Sequence, residues 1–228
     1  QLGAGLTGTA KQEAHKQRLQ TVVSMLSCPT RRQGLTKGSY WDYANASKPG
    51  DSFKADYAAN GGSVKTNPFT PNGPFWFSFQ GDIYAGPTDY DEGLSSRALQ
   101  NFADKESASN GLFHVGSSVG VHQITDGLSK TMLIGEKQLK QQSHFGDVVD
   151  PGDIMAAYCG DNEDNKRWTY LLPLPDTKVA RYRFGSSHPG GLNIALADGS
   201  LQIVKITTAG TTTGVGSASD RIVYNVPI

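Results

Sequence analysis

The chain has 228 residues, 27 of them glycine and 11 proline, and only 18% are charged. Its 21 basic and 21 acidic side chains leave no net field to attract nucleic acid or an anionic membrane, and no basic cluster exceeds Arg31-Arg32. A chain this long buries a core without metals or disulfides, and this Gly/Pro-rich composition favours short strands and structured loops over a helical bundle.

In chain order, residues 3–8 (GAGLTG) match G-x-G-x-x-G. No strand precedes them, so they read as a flexible lead-in and not as a dinucleotide site. Residues 9–26 carry the best helical period, with Leu19, Val22, Val23 and Leu26 at i, i+3, i+4 and i+7. Pro29 ends that helix by disfavouring helical backbone at Cys28. Residues 56–63 (DYAANGGS) predict a short strand running into a Gly-Gly turn, and 74–86 (PFWFSFQGDIYAG) an aromatic strand apolar on both faces. A short helix is expected at 91–106, with Leu94, Ala98 and Leu99 inward. Residues 121–138 read as a strand, a turn at Asp126-Gly127 and a second strand over 131–136. Acidic, loop-rich segments follow, and the tail ends on the strand-like RIVYNV. No repeat or boundary divides the chain, so one domain is expected over 1–228. No run of about 18 apolar residues encodes a membrane span.

The stretch 188–200 (HPGGLNIALADGS) is a hairpin signal. A two-residue turn at Asp198-Gly199 would pair Ala197 with Ser200, Leu196 with Leu201, Ala195 with Gln202 and Ile194 with Ile203. Four aliphatic side chains then share one face, and a slip of one residue would undo that arrangement. At the other end, Pro189-Gly190 suits the centre of a type II turn, with Gly190 supplying the positive φ. Asp198 is then a turn residue and His188 a structural hydrogen-bonding residue, because Ser186 and Ser187 lack the G-x-S-x-G setting of a hydrolase nucleophile.

Other candidate sites follow from residue type. Cys28 and Cys159 form either one long-range disulfide or two small buried thiols, and the residues leave both readings open. Asp161, Glu163 and Asp164 put oxygen ligands for Ca²⁺ in one loop, although the spacing fails the EF-hand pattern. The histidines at 15, 114, 122, 144 and 188 are scattered, with no H-E-x-x-H zinc motif. Glu136, Asp126 and Asp91 are glycosidase-type carboxylates that sequence alone does not pair. Trp41, Trp76 and Trp168 are either core or sugar-stacking surfaces.

His188, nine residues and then Asp198-Gly199 resemble the His-x(9)-Asp-Gly signature of the prepilin-type-processing-associated family. Phe184, Ser186, His188, Pro189, Gly190, Gly191, Asn193, Asp198, Gly199 and Ser200 fit its usual ending. ITDGLSKTMLIGEK (124–137), MLSCPTRR (25–32) and ADYAANGGS (55–63) are similar to further family segments. The resemblance covers most of residues 25–205. It implies an α+β fold, an N-terminal helix remnant followed by a mainly antiparallel, β-rich, loop-rich pilin-like head. It also implies an exported, non-enzymatic subunit of a cell-surface filament or secretion-type pseudopilus. Its partners would be copies of itself or other pilin-like subunits, with a membrane contact only through a hydrophobic helix lying outside this chain. The chain is thus expected to be a head fragment or a processed form, with Ca²⁺ as the one cofactor that such heads sometimes use. The alternative is a secreted solute- or glycan-binding module.

Overall fold

The structure is a computed structural model that describes residues 4–37, 46–63, 110–113, 117–159, 162, 164–178 and 182–206. The elements expected at 74–86 and 91–106, and the terminal strand, lie outside these residues. The helix α1 spans Gly8–Leu19 and buries Ala14 and Leu19. It stops well short of the expected residue 26. The Leu19 carbonyl accepts the Phe53 N–H at 2.8 Å, and Thr21 Oγ1 donates back to the Gln17 carbonyl at 3.1 Å. β-Branched Thr21, Val22 and Val23 follow outside the helix, Val23 in extended backbone, and only a 3₁₀ turn at Ser24–Leu26 remains of the second half.

β1 (Thr36–Lys37) and β2 (Asp51–Ser52) form a small antiparallel pair. The main sheet contains β3 (Tyr57–Asn60), β4 (Met132–Glu136), β5 (Lys166–Arg167), β8 (Leu192–Leu196) and β9 (Leu201–Val204), in the order β5-β3-β4-β8-β9. All its pairings are antiparallel except β3–β5. β6 (Leu174–Pro175) and β7 (Gly185–Ser186) pair in parallel beside it. The fold is therefore α+β with a mainly antiparallel, β-rich body. The strand expected near residue 121 is instead a 3₁₀ turn, Val121–Gln123. Its backbone is satisfied locally, by Gln123 N–H to the Gly120 carbonyl and by Gly120 N–H to Gln123 Oε1.

The β8–β9 hairpin forms, but one residue away from the expected register. Ala195 faces Leu201, Ile194 faces Gln202, and Asn193 faces Ile203. The loop has three residues, closed by Gly199 N–H to the Leu196 carbonyl and Leu196 N–H to the Ser200 carbonyl, each at 2.9 Å. Gly199 takes φ +85° there, the left-handed step that ends a three-residue hairpin loop. Because side chains alternate across a strand, this slip sends Leu201 and Ile203 to the outer face while Leu192, Ile194 and Leu196 stay inside.

Two different interiors result. Ala58, Met132, Phe184, Leu192, Ile194 and Leu196 form an apolar core, with Val204 and Ile206 against it. The other is ionic. Arg31 pairs with Asp176 through two N–H bonds (2.8 and 3.2 Å), and Arg32 and Lys137 converge on Asp153. Arg32 Nε also lies 2.9 Å from Asp56 Oδ1, close enough to attract but without hydrogen-bond alignment. Lys54 donates to the Asp153 carbonyl at 2.8 Å. All of these side chains are buried.

Candidate functional site at Cys28, Glu136 and His188

Three separate segments meet on the outer face of the sheet. Cys28 opens a tight turn in which the Arg31 N–H donates to the Cys28 carbonyl at 3.0 Å, with Pro29 at the second position, where its fixed φ is favourable. The Cys28 N–H is anchored on Asp56 Oδ2 at 2.7 Å. Glu136 is the last residue of β4, opposite Tyr57 of β3 and two residues from outward-facing Ile134. His188 sits between β7 and β8, its N–H donating to Ser186 Oγ at 3.0 Å.

The side chains converge tightly. Cys28 Sγ lies 3.5 Å from Glu136 Oε1 and 3.5 Å from His188 Nε2, while His188 Nε2 lies 3.1 Å from Glu136 Oε1. The second carboxylate oxygen of Glu136 is held separately. It accepts from Ser186 Oγ at 2.9 Å, from the Asn193 N–H at 2.7 Å and from Asn193 Nδ2 at 3.3 Å. Thr30 Oγ1 stands 3.1 Å from Cys28 Sγ and 2.8 Å from Ser187 Oγ, at the rim. Cys28 and Glu136 are fully buried, whereas the His188 side chain keeps 30% of its surface exposed. Burial pushes the Cys28 thiol above its ordinary value, and burial beside Cys28 and Glu136 pushes the Tyr57 phenol up as well.

His188 therefore has a thiol and a carboxylate against it, where the sequence suggested a structural hydrogen-bonding residue. Glu136 appeared there only among unpaired carboxylates and Cys28 only as a disulfide candidate. A signal for the grouping did exist. The segments LSCPTRR, LIGEK and SSHPGG, all part of the family resemblance, contribute one metal- or proton-binding side chain each.

The other expected residues lie in different parts of the fold. Of the two readings of the cysteines, the one without a disulfide holds: Cys28 and Cys159 are not bonded to each other, and Cys28 Sγ is turned toward Thr30, Glu136 and His188. The His188–Gly191 turn closes by Gly191 N–H to the His188 carbonyl at 3.4 Å, but the positive φ belongs to Gly191 (+138°) and not to Gly190. Pro189 and Gly190 lie exposed at its tip. Asp198 stays in the loop at the far end of β8, where Oδ1 accepts from Ser200 N–H and Oγ at 2.9 and 2.7 Å. Asn193 holds Glu136. Of the calcium candidates, Asp161 and Glu163 lie outside the described residues. Asp164 is buried, with Oδ2 accepting from the Ile154 and Met155 N–H groups and the charges of Lys137 and Arg167 nearby. Asp126 is exposed in the turn before β4, and Asp91 is outside the described residues. Trp168 is buried, edge-on to Tyr182 at 5.9 Å, so it presents no stacking surface; Trp41 and Trp76 lie outside the described residues. Buried His144 bonds Asp176 at 3.0 Å, away from the His188 group.

A family model described as "Protein of unknown function (DUF1559)" matches residues 4–209. No curated protein and no solved structure matches the chain. The matched span takes in every described strand together with Cys28, Glu136 and His188. The chain belongs to the DUF1559 family.

Proposed function

We propose that this chain is the head of an exported, pilin-like surface subunit that works by association with further copies of itself and not by turnover. The family is associated with exported bacterial proteins, which supports the compartment. The observation that carries the reading is the outer face at β9. Leu201 and Ile203 are 81% and 68% exposed on β9, the outermost strand of the sheet among the described residues, and Leu201 continues a row with Ala195 and half-exposed Ile134. Apolar side chains on an edge strand favour pairing with another chain, and a strand of this kind is complementary to a second copy of itself. Equal numbers of acidic and basic residues remove the long-range repulsion that would oppose such contacts.

Electron microscopy of the protein isolated from its native source, together with light scattering across a concentration series, tests the reading. Regular filaments or concentration-dependent oligomers are expected, and the Leu201→Lys/Ile203→Lys double variant should remain monomeric with its circular dichroism intact. Dispersed monomers at every concentration would overturn the reading in favour of a secreted solute- or glycan-binding module.

A further inference from the structure

We propose that Cys28, Glu136 and His188 form a binding site for a transition-metal dication of the zinc class, with a fourth coordination position facing solvent. This goes beyond the association role and does not depend on it. The three donor atoms lie within 4.8 Å of one another. Metal–ligand lengths of about 2.3 Å to sulfur and about 2.0–2.1 Å to nitrogen or oxygen require tetrahedral edges of about 3.6 Å from sulfur and about 3.4 Å between nitrogen and oxygen. The observed edges of 3.5, 3.5 and 3.1 Å approach one face of that tetrahedron, so the ligands need little movement to close on an ion.

The pattern of contacts favours coordination over a nucleophile–base relay. In a relay, the base meets its nucleophile through one ring nitrogen and its orienting carboxylate through the other. Here Cys28 and Glu136 both approach His188 Nε2, so the three groups point at a common centre. The surroundings also suit a metal. Three donors hold Glu136 Oε2 and leave Oε1 turned inward, which is the outer-shell support that orients a ligating carboxylate. A sulfur, an imidazole nitrogen and one carboxylate oxygen suit zinc-class ions, whereas Ca²⁺ and Mg²⁺ take all-oxygen sets. Three protein ligands and a partly exposed histidine leave the remaining vertex for water or an incoming ligand. On binding, the Cys28 thiol releases its proton to solvent and ligates as thiolate.

The test uses the full chain, reduced, with Co²⁺ alone as spectroscopic probe and Zn²⁺ alone as competitor. One equivalent of Co²⁺ should give the intense visible bands of a tetrahedral site and a thiolate-to-metal charge-transfer band, both removed by Zn²⁺. Cys28→Ser should abolish the charge-transfer band, and Cys159→Ser should leave it unchanged. Asn193→Ala, which loosens only the support of Glu136, should weaken binding about 10–100-fold. His188→Gln lies in a partly exposed turn and keeps the test open if the buried Cys28 variant fails to fold; it too should lose the tetrahedral spectrum. Absence of Co²⁺ bands in the wild type, or bands that survive both Cys28→Ser and His188→Gln, would overturn the proposal.

Discussion

Gly190 and Gly191 are adjacent, yet only Gly191 has to be glycine. Gly191 has φ +138°, and a Cβ there would stand 2.2 Å from the Val204 carbonyl oxygen, where β9 passes the start of β8. Around Gly190 a Cβ would meet nothing within 4 Å, and its φ is not in the left-handed region. Gly191→Ala should therefore cost at least about 1–3 kcal/mol from backbone strain alone. Gly190→Ala should stay within about 0.5 kcal/mol of the wild type, as exposed substitutions do. Urea unfolding of the two variants checks this, and the reverse order would restore the type II turn expected from Pro189-Gly190.

For the hairpin, the register decides which aliphatic residues stabilise the fold. The two-residue turn predicts equal importance for Ile194, Leu196, Leu201 and Ile203. The observed three-residue loop buries the first two and exposes the last two. Ile194→Ala and Leu196→Ala should each cost about 2–5 kcal/mol, the usual range for emptying a packed core position. Leu201→Lys and Ile203→Lys should change stability by no more than about 0.5 kcal/mol. Chemical denaturation of the monomer measures all four, and comparable losses across the set would refute the observed register. The two surface variants also separate folding from association, because they alter only the outer face.

The whole molecule combines the apolar core with the buried ionic one, so its stability depends on acid. Burial alone would raise the Asp153 carboxyl, but the charges of Arg32 and Lys137 outweigh burial and hold it well below the ordinary carboxylate range. A carboxyl depressed on folding stabilises the folded state fully above its unfolded value near 3.8, and that contribution is lost as pH falls further. Asp164 acts in the opposite sense, because burial raises its carboxyl and the folded state therefore gains from protonating it. Loss of the Asp153 ion pairs to Arg32 and Lys137 should make the urea midpoint fall below about pH 4. A midpoint unchanged between pH 7 and pH 3 would contradict this. Arg32→Met, which strands Asp153 and Asp56 without that guanidinium, should cost about 3–5 kcal/mol at neutral pH.

Local chemistry alone determined much of this protein. Composition pointed to a β-rich body, Tyr57–Asn60 and Met132–Glu136 were legible as strands, and Asp198-Gly199 marked a hairpin loop. Each depends on residues close together in the chain. The hairpin register was not legible, because two- and three-residue loops both accommodate Asp-Gly and only the core decides which side chains it accepts. The end of α1 depended on the Phe53 N–H reaching Leu19, a contact between residues far apart in sequence. For the same reason the site stayed hidden. Cys28, Glu136 and His188 are 108 and 52 positions apart along the chain, so no spacing rule joins them. The pairing of β3 with β4 and of β4 with β8 brings them together, and that pairing is set by the burial of Ala58, Met132 and Ile194 on the opposite face of the sheet.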